Sequence, residues 1–146
     1  KFNQLINKLG LGAKMAANNK LPKTVKIKLS RIFKDNRGEI INLINGLFGS
    51  CAFIISKKHS IRANHYHKKD WHYCYVLKGK IAYYYRKHGS KNKPKKIIIN
   101  EGELFFTPPM VDHAMKFLKK TEFLTLGRGS RTKINYDKDT HKIILI

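Results

Sequence analysis

Acidic side chains are what this chain has least of: 9 Asp and Glu stand against 31 Lys and Arg in 146 residues, a net charge of +22. Such a chain attracts anions, whether nucleic acid, phosphorylated small molecules or acidic membrane surfaces. The lysines greatly outnumber the arginines and are spread through nearly every turn and strand, among abundant Ile and Asn, which is also what an AT-rich coding genome produces. No recognition helix or arginine-bearing aromatic platform for RNA is visible, so nucleic-acid binding is not the main role expected. Cysteine is scarce too. Cys51 and Cys74 cannot build a disulfide framework, and both sit in apolar runs, so two reduced, buried thiols and a cytoplasmic location are expected. No apolar run approaches the roughly 18–20 residues needed to span a bilayer. No export signal is expected either, and because the chain begins at Lys1 instead of Met, a preceding segment is. Nucleophile elbow, P-loop, dinucleotide fingerprint and internal repeats are all absent.

What is present is a patterned globular chain, 42% hydrophobic and 11% aromatic, of a length suited to one domain. Phe2, Leu5, Ile6 and Leu9 recur at helical spacing before Gly10 and Gly12, so residues 1–22 read as a short N-terminal helical extension. From residue 23 to 146 the period is two. Val25, Ile27 and Leu29 alternate with polar residues, and short strands then follow one another with turns at Asp35–Gly38, Asn45-Gly46, Lys78-Gly79 and Glu101-Gly102. Pro108-Pro109 interrupts before strands expected at 113–118, 122–126 and 141–146. Short strands at this spacing, with no long helix, predict an all-β sandwich or barrel.

Seven histidines carry most of the functional information. His65 and His67 lie two apart, so on a strand both imidazoles leave the same face and can reach one point. His72 opens the next strand, and His113 opens a later one, from which it could approach across a closed barrel. Neutral imidazoles gathered this way suit Zn, Fe, Ni, Cu or Mn. A lone His-x-His pair is more often two exposed strand residues.

His65-x-His67, four residues, His72, six residues and Gly79 resembles the first motif of the cupin superfamily. Gly102, five residues, Pro108 and then His113 resembles the second, whose histidine is the last metal ligand there. The resemblance implies a cupin-type double-stranded β-helix, a jelly-roll barrel over residues 23–146, with His65, His67, His72 and His113 as ligands of a divalent transition metal. His72 stands where cupins carry glutamate, so the donor set would be neutral, which favours Zn first, then Ni or Cu, over Mn. His59 and Met110 replace motif glycines and Phe117 the terminal asparagine, which suggests altered turns.

Arg62-x-x-His65-x-His67-Lys68 and the upstream Asp35-Asn36-Arg37-Gly38 are similar to cupins of the nucleotide-sugar isomerase and epimerase group, which act in polysaccharide and deoxysugar pathways and often work without a metal. That similarity implies His65 or His67 as catalytic base, Tyr73, Tyr75 or Tyr83 as proton donor or sugar contact, and Arg62 as the phosphate contact. The expected partners are an anionic sugar nucleotide and a second copy of the chain in a homodimer. Two other uses fit the same histidines: a metal-dependent dioxygenase or hydrolase, or a non-catalytic binding module around a structural metal. His88 and His141 read as solvated, Trp71 as packing or lining the mouth, and Asp112 as pointing away from its neighbour His113.

Overall fold

The computed structural model describes residues 20–146; the helix expected at the N-terminus lies outside them. The described chain is all-β except for one short helix. Its strands are β1 (Lys26–Ile27), β2 (Ser30–Asp35), β3 (Gly38–Asn42), β4 (Ser50–Ser56), β5 (Ile61–Tyr66), β6 (His72–Lys78), β7 (Lys80–Lys87), β8 (Lys95–Asn100), β9 (Leu104–Thr107), β10 (Val111–Phe117), β11 (Thr121–Gly127) and β12 (His141–Lys142). Helix α1 (Lys133–Lys138) lies between β11 and β12. Among the described residues no helix is long and apolar enough to cross a membrane.

Ten of these strands form two five-stranded antiparallel sheets, in the orders β1-β9-β6-β11-β4 and β12-β5-β10-β7-β8, while among the described residues β2 and β3 pair only with each other. Among the described residues the jelly roll is therefore a two-sheet sandwich and not the closed barrel expected. Alternation explains the core. On β6, Cys74 and Val76 face inward between half-buried Tyr73 and Tyr75, and they pack with Ile81, Tyr83 and Ile99 of the facing sheet and with Phe105, Phe117 and Phe123. The same alternation corrects one reading of the cysteines: Cys74 is buried, but Cys51 is exposed on β4.

Turn chemistry holds one end of the sandwich. Gly79 has φ +108°, and a Cβ there would stand 2.6 Å from the Lys120 carbonyl oxygen and 2.7 Å from Thr121 Cα, so the motif glycine allows the β6–β7 turn to meet the β10–β11 turn. At the two replaced motif glycines the backbone adopts a conformation that favours glycine. His59 (φ 68°) and Met110 (φ 57°) both occupy the left-handed region, held by hydrogen bonds from His59 N to the Phe117 carbonyl (2.7 Å) and from Met110 N to the His67 carbonyl (2.7 Å). A side chain is unfavourable there by about 1–2 kcal/mol, part of which glycine returns as unfolded-state entropy. His59→Gly and Met110→Gly are each expected to raise stability by up to about 1 kcal/mol in urea titrations.

Candidate functional site

The site begins with a fault in a strand. Ala63 (φ 68°) and Asn64 (φ 53°) are consecutive left-handed residues inside β5. The pairing of β5 with β10 shifts there, from His113↔His65 to Ala114↔Ala63. A bulge of this kind re-aims the side chain that follows it, here His65. Asn64 is fixed by the chain's end: its side-chain oxygen accepts Leu145 N (3.1 Å) and Ile146 N (3.3 Å).

His65 and His113 become cross-strand neighbours with ring centroids 4.6 Å apart. His113 thus comes from the adjacent strand of the same sheet, not from an opposite wall; it is His72, on β6, that approaches from the facing sheet. His67 follows β5, its ring 4.6 Å from His65 and 5.6 Å from His113. His65, His67 and His113 each offer a ring nitrogen to a group whose ligand atoms lie within 4.8 Å of one another. His72 stands beside this trio, 5.3 Å from His67 and 5.5 Å from His113 between ring centroids, but outside the group.

The second ring nitrogens settle the tautomers. His67 Nδ1–H donates to the Asp139 carbonyl at 2.7 Å, and His113 Nδ1–H to the Val111 carbonyl at 3.0 Å. The Nε2 lone pairs are then free, and both Nε2 atoms are buried without a hydrogen-bond partner. Carbonyl-supported imidazoles with orphaned inward nitrogens are the arrangement metal-bound histidines adopt, so these residues can hold a transition-metal ion. Desolvation by burial, then repulsion from neighbouring imidazoles, pushes the His65 pKa down to about 2 and contributes to pushing that of His113 down to about 4. Burial also holds His72 well below the ordinary imidazole value. All three stay neutral at neutral pH, as ligation requires.

Two cavities flank the histidines. The larger, of about 470 Å³, is bounded by His65, His72 and His113 and by Arg62, Arg131 and Lys142, with an apolar wall that includes Met115 and Phe123 and with no Asp or Glu in its lining. The smaller, of about 390 Å³, touches His67 and is polar, with Lys69, Arg128, Asp70 and Asp139. Tyr136 of α1 lines both. Its ring lies 6.5 Å from His65 and 6.2 Å from His67, and the Arg131 guanidinium lies 5.5 Å from it. Asp139 ties this segment down: its carboxylate accepts Lys68 N (2.8 Å), Lys69 N (2.9 Å) and Asp70 N (2.7 Å).

Arg62 lines the larger cavity, with Nε donating to Ser56 Oγ at 2.8 Å. The tyrosines expected here lie elsewhere. With His72 inward, Tyr73 and Tyr75 face out; the Tyr73 ring packs 4.7 Å from Phe106, and Trp71 joins them 5.6 Å from Tyr73. Tyr83 is in the core, its hydroxyl 2.8 Å from Thr107 Oγ1 and its pKa raised above the phenol range by burial. Asp112 does point away from the trio, toward Arg86 Nε (3.0 Å) and His88 Nδ1 (2.7 Å). His88 and His141 are not solvated as expected but half-buried, stacked on either side of Tyr66 at 3.6 and 4.9 Å. Arg131 and Tyr136 were missed because nothing in their local sequence marks them: α1 buries no residue and so carries no amphipathic pattern.

An antiparallel double-sheet jelly roll with inward histidines from a His-x-His pair and a later strand defines the cupin class. The chain belongs to the cupin domain family, whose model matches residues 53–126. No curated protein sequence matches it. Solved structures similar to it include the TDP-quinovose 3,4-ketoisomerase of Campylobacter jejuni, at 20% identity and TM-score 0.65, covering 81% of this chain and 97% of the other. A 3,4-ketoisomerase from Helicobacter canadensis matches at 19% identity and TM-score 0.60, over 78% and 90% of the two chains. The dTDP-4-dehydrorhamnose 3,5-epimerase of Sulfolobus tokodaii matches at 20% and 0.58, over 73% and 69%. Each likeness is one of fold.

Proposed function

We propose that this cupin is an isomerase or epimerase that moves a proton at the carbon beside the carbonyl of a nucleotide-linked keto-sugar. One observation carries the reading: a cavity of about 470 Å³ holds three cations, no carboxylate and neutral imidazoles on its wall. That composition selects a compact anion with an uncharged, oxygen-rich portion. The structural likeness to enzymes acting on TDP-linked sugars supports the same substrate class.

In this scheme Arg131 and Lys142 hold the diphosphate, with the N–H groups that Arg62 has to spare. His65, the least enclosed of the trio's imidazoles, accepts the proton next to the carbonyl. The C–H electron pair passes to the carbonyl oxygen, and Tyr136 returns a proton to the resulting enediolate. Arg131 is itself one cause of the depressed His65 pKa. A dianion seated on Arg131 offsets that repulsion, so an anionic sugar makes His65 a better base than a neutral one does. A metal held by His65, His67 and His113 would tie up His65 as a ligand, so the Lewis-acid polarisation it would supply belongs to the second, metal-dependent reading below.

Protein incubated with TDP-4-keto-6-deoxyglucose in D₂O should incorporate deuterium beside the ketone, read by proton NMR. His65→Asn should slow this by about 10²–10⁴-fold, and Arg131→Ala should act mainly through a raised KM. Absence of exchange with every nucleotide-linked keto-sugar tried, in folded protein, would defeat the proposal. A second reading, a metal-dependent enzyme of another type, is favoured by the two orphaned Nε2 atoms and predicts turnover that stops when the metal is removed.

A further inference from the structure

Three turns that are far apart in sequence close one end of the sandwich together. His59 N donates to the Phe117 carbonyl (2.7 Å) and Leu118 N to the Lys80 carbonyl (2.9 Å), so the β4–β5, β6–β7 and β10–β11 turns are bonded into one surface. Lysines scattered along the chain meet there: Lys57 and Lys58 from the first turn, Lys78 and Lys80 from the second, Lys119 and Lys120 from the third. All are exposed except Lys80, which is half-buried. Of the acids nearby, Glu103 is taken by Lys26 (2.8 Å), Glu101 accepts Gly79 N (3.3 Å), and Glu122 stands opposite Lys78 in the register. Among the described residues none of the six lysines is in an ion pair.

Apolar side chains rise through this charge. The pairing of β6 with β11 runs Glu122↔Lys78 and then Phe123↔Val76, which leaves Leu77 as an extra residue in a bulge. Leu77 and Lys78, though adjacent, are therefore both exposed, Leu77 by 42%. Ile55, across Glu122 from Lys78, is 52% exposed. Nucleic-acid readers rely on arginine, a recognition helix or stacking aromatics; here the six cations are all lysine, and the protruding side chains are aliphatic. A bilayer with acidic headgroups matches both features. The ammoniums meet lipid phosphates and carboxylates while the lysine stems and aliphatic groups enter the headgroup boundary.

We infer that this end of the sandwich is a docking surface for an anionic lipid bilayer. His72 opens β6 and Lys78 closes it, so about 20 Å of strand separates the histidines from the docked end. The docking stands independently of the chemistry proposed above.

Vesicles of about one-third phosphatidylserine in phosphatidylcholine should sediment the full chain in about 0.1 M salt, and pure phosphatidylcholine vesicles should not. Raising the salt to about 0.5 M should weaken binding by at least about tenfold. Joint substitution Lys57→Glu, Lys58→Glu, Lys119→Glu and Lys120→Glu should weaken it by at least about a hundredfold, and Leu77→Ser, which changes no charge, by about fivefold. Lys91→Glu, Lys93→Glu, Lys95→Glu and Lys96→Glu together remove the same charge at the histidine end, where Lys95 lies opposite Tyr85 and Tyr85 opposite His113. That variant should lose less than about tenfold, because the ends are about two screening lengths apart. Circular dichroism checks that each variant is folded. Wild-type protein that ignores the anionic vesicles overturns the inference, as does an equal loss in the two fourfold variants, which would reduce the binding to net charge. No loss in Leu77→Ser overturns it too, since the aliphatic contact is what selects a bilayer over a polyanion. So does single-stranded RNA bound through the same lysines more tightly than the vesicles.

Discussion

Protein purified without a metal-affinity column should carry close to one transition-metal ion per chain by elemental analysis, and His113→Ala should remove it. Three facts lead there. The His67 and His113 tautomers are set by carbonyl acceptors on Nδ1; their Nε2 atoms are buried and unpartnered; and ring nitrogens of His65, His67 and His113 fall within 4.8 Å of one another. Leaving buried acceptors unsatisfied is unfavourable by about 1–3 kcal/mol each, and a cation at their common point satisfies them together. With no carboxylate in the trio, Zn, Ni, Cu and Fe are favoured over Mn, Mg and Ca. Losing an outer partner of a ligand lowers affinity about 10–100-fold, so losing a ligand, as in His67→Ala or His113→Ala, should exceed that in a zinc titration. His72→Ala, outside the group, should weaken binding less than either. Wild-type protein that purifies without metal and takes up no zinc would reject the metal centre, and deuterium exchange by that protein would leave the proton-transfer reading standing.

Much of this was legible in the residues. The His-x-His pair and the period of two lead to imidazoles sharing a face, and His113 does join them. Turn glycines marked where strands end: Gly79 stands where only a missing side chain lets two turns touch. The same period also turns Tyr73 and Tyr75 outward once His72 is inside, so they cannot serve the cavity. What sequence could not give is non-local. The bulge at Ala63–Asn64 shows only in its pairing with β10. Tyr136 reaches the histidines because Asp139, three residues on, caps the backbone of residues 68–70 far away in sequence. Strand propensity could not tell that β4 would end a sheet, and so could not tell that Cys51 would be exposed.

Metal-free protein should lose stability steeply as pH falls from 7 to 5. A buried imidazole whose folded pKa lies below its unfolded value of about 6.5 is neutral in the native state while the unfolded chain takes up a proton. Stability is therefore complete above about pH 7 and declines as pH drops through 6.5, the loss continuing until the folded group itself titrates, near 4 for His113 and near 2 for His65. At pH 5 these two together remove about 4 kcal/mol, against a total of about 5–15 kcal/mol for a domain. His72, shifted the same way, adds to the loss. Thermal unfolding should fall by roughly 10–15 °C over this interval. The carboxylates do not confuse the window: Asp139 and Glu103 have lowered pKa values, so their contributions persist above about pH 4 and vanish only below it. His113→Ala should flatten the profile by roughly a third, because one of the three proton uptakes disappears. Saturating Zn²⁺ should shift the decline to lower pH, since the ion binds only the unprotonated native site. A melting temperature level between pH 7 and 5 in metal-free protein would mean that the imidazoles are solvated, and the trio would then be no preformed site at all.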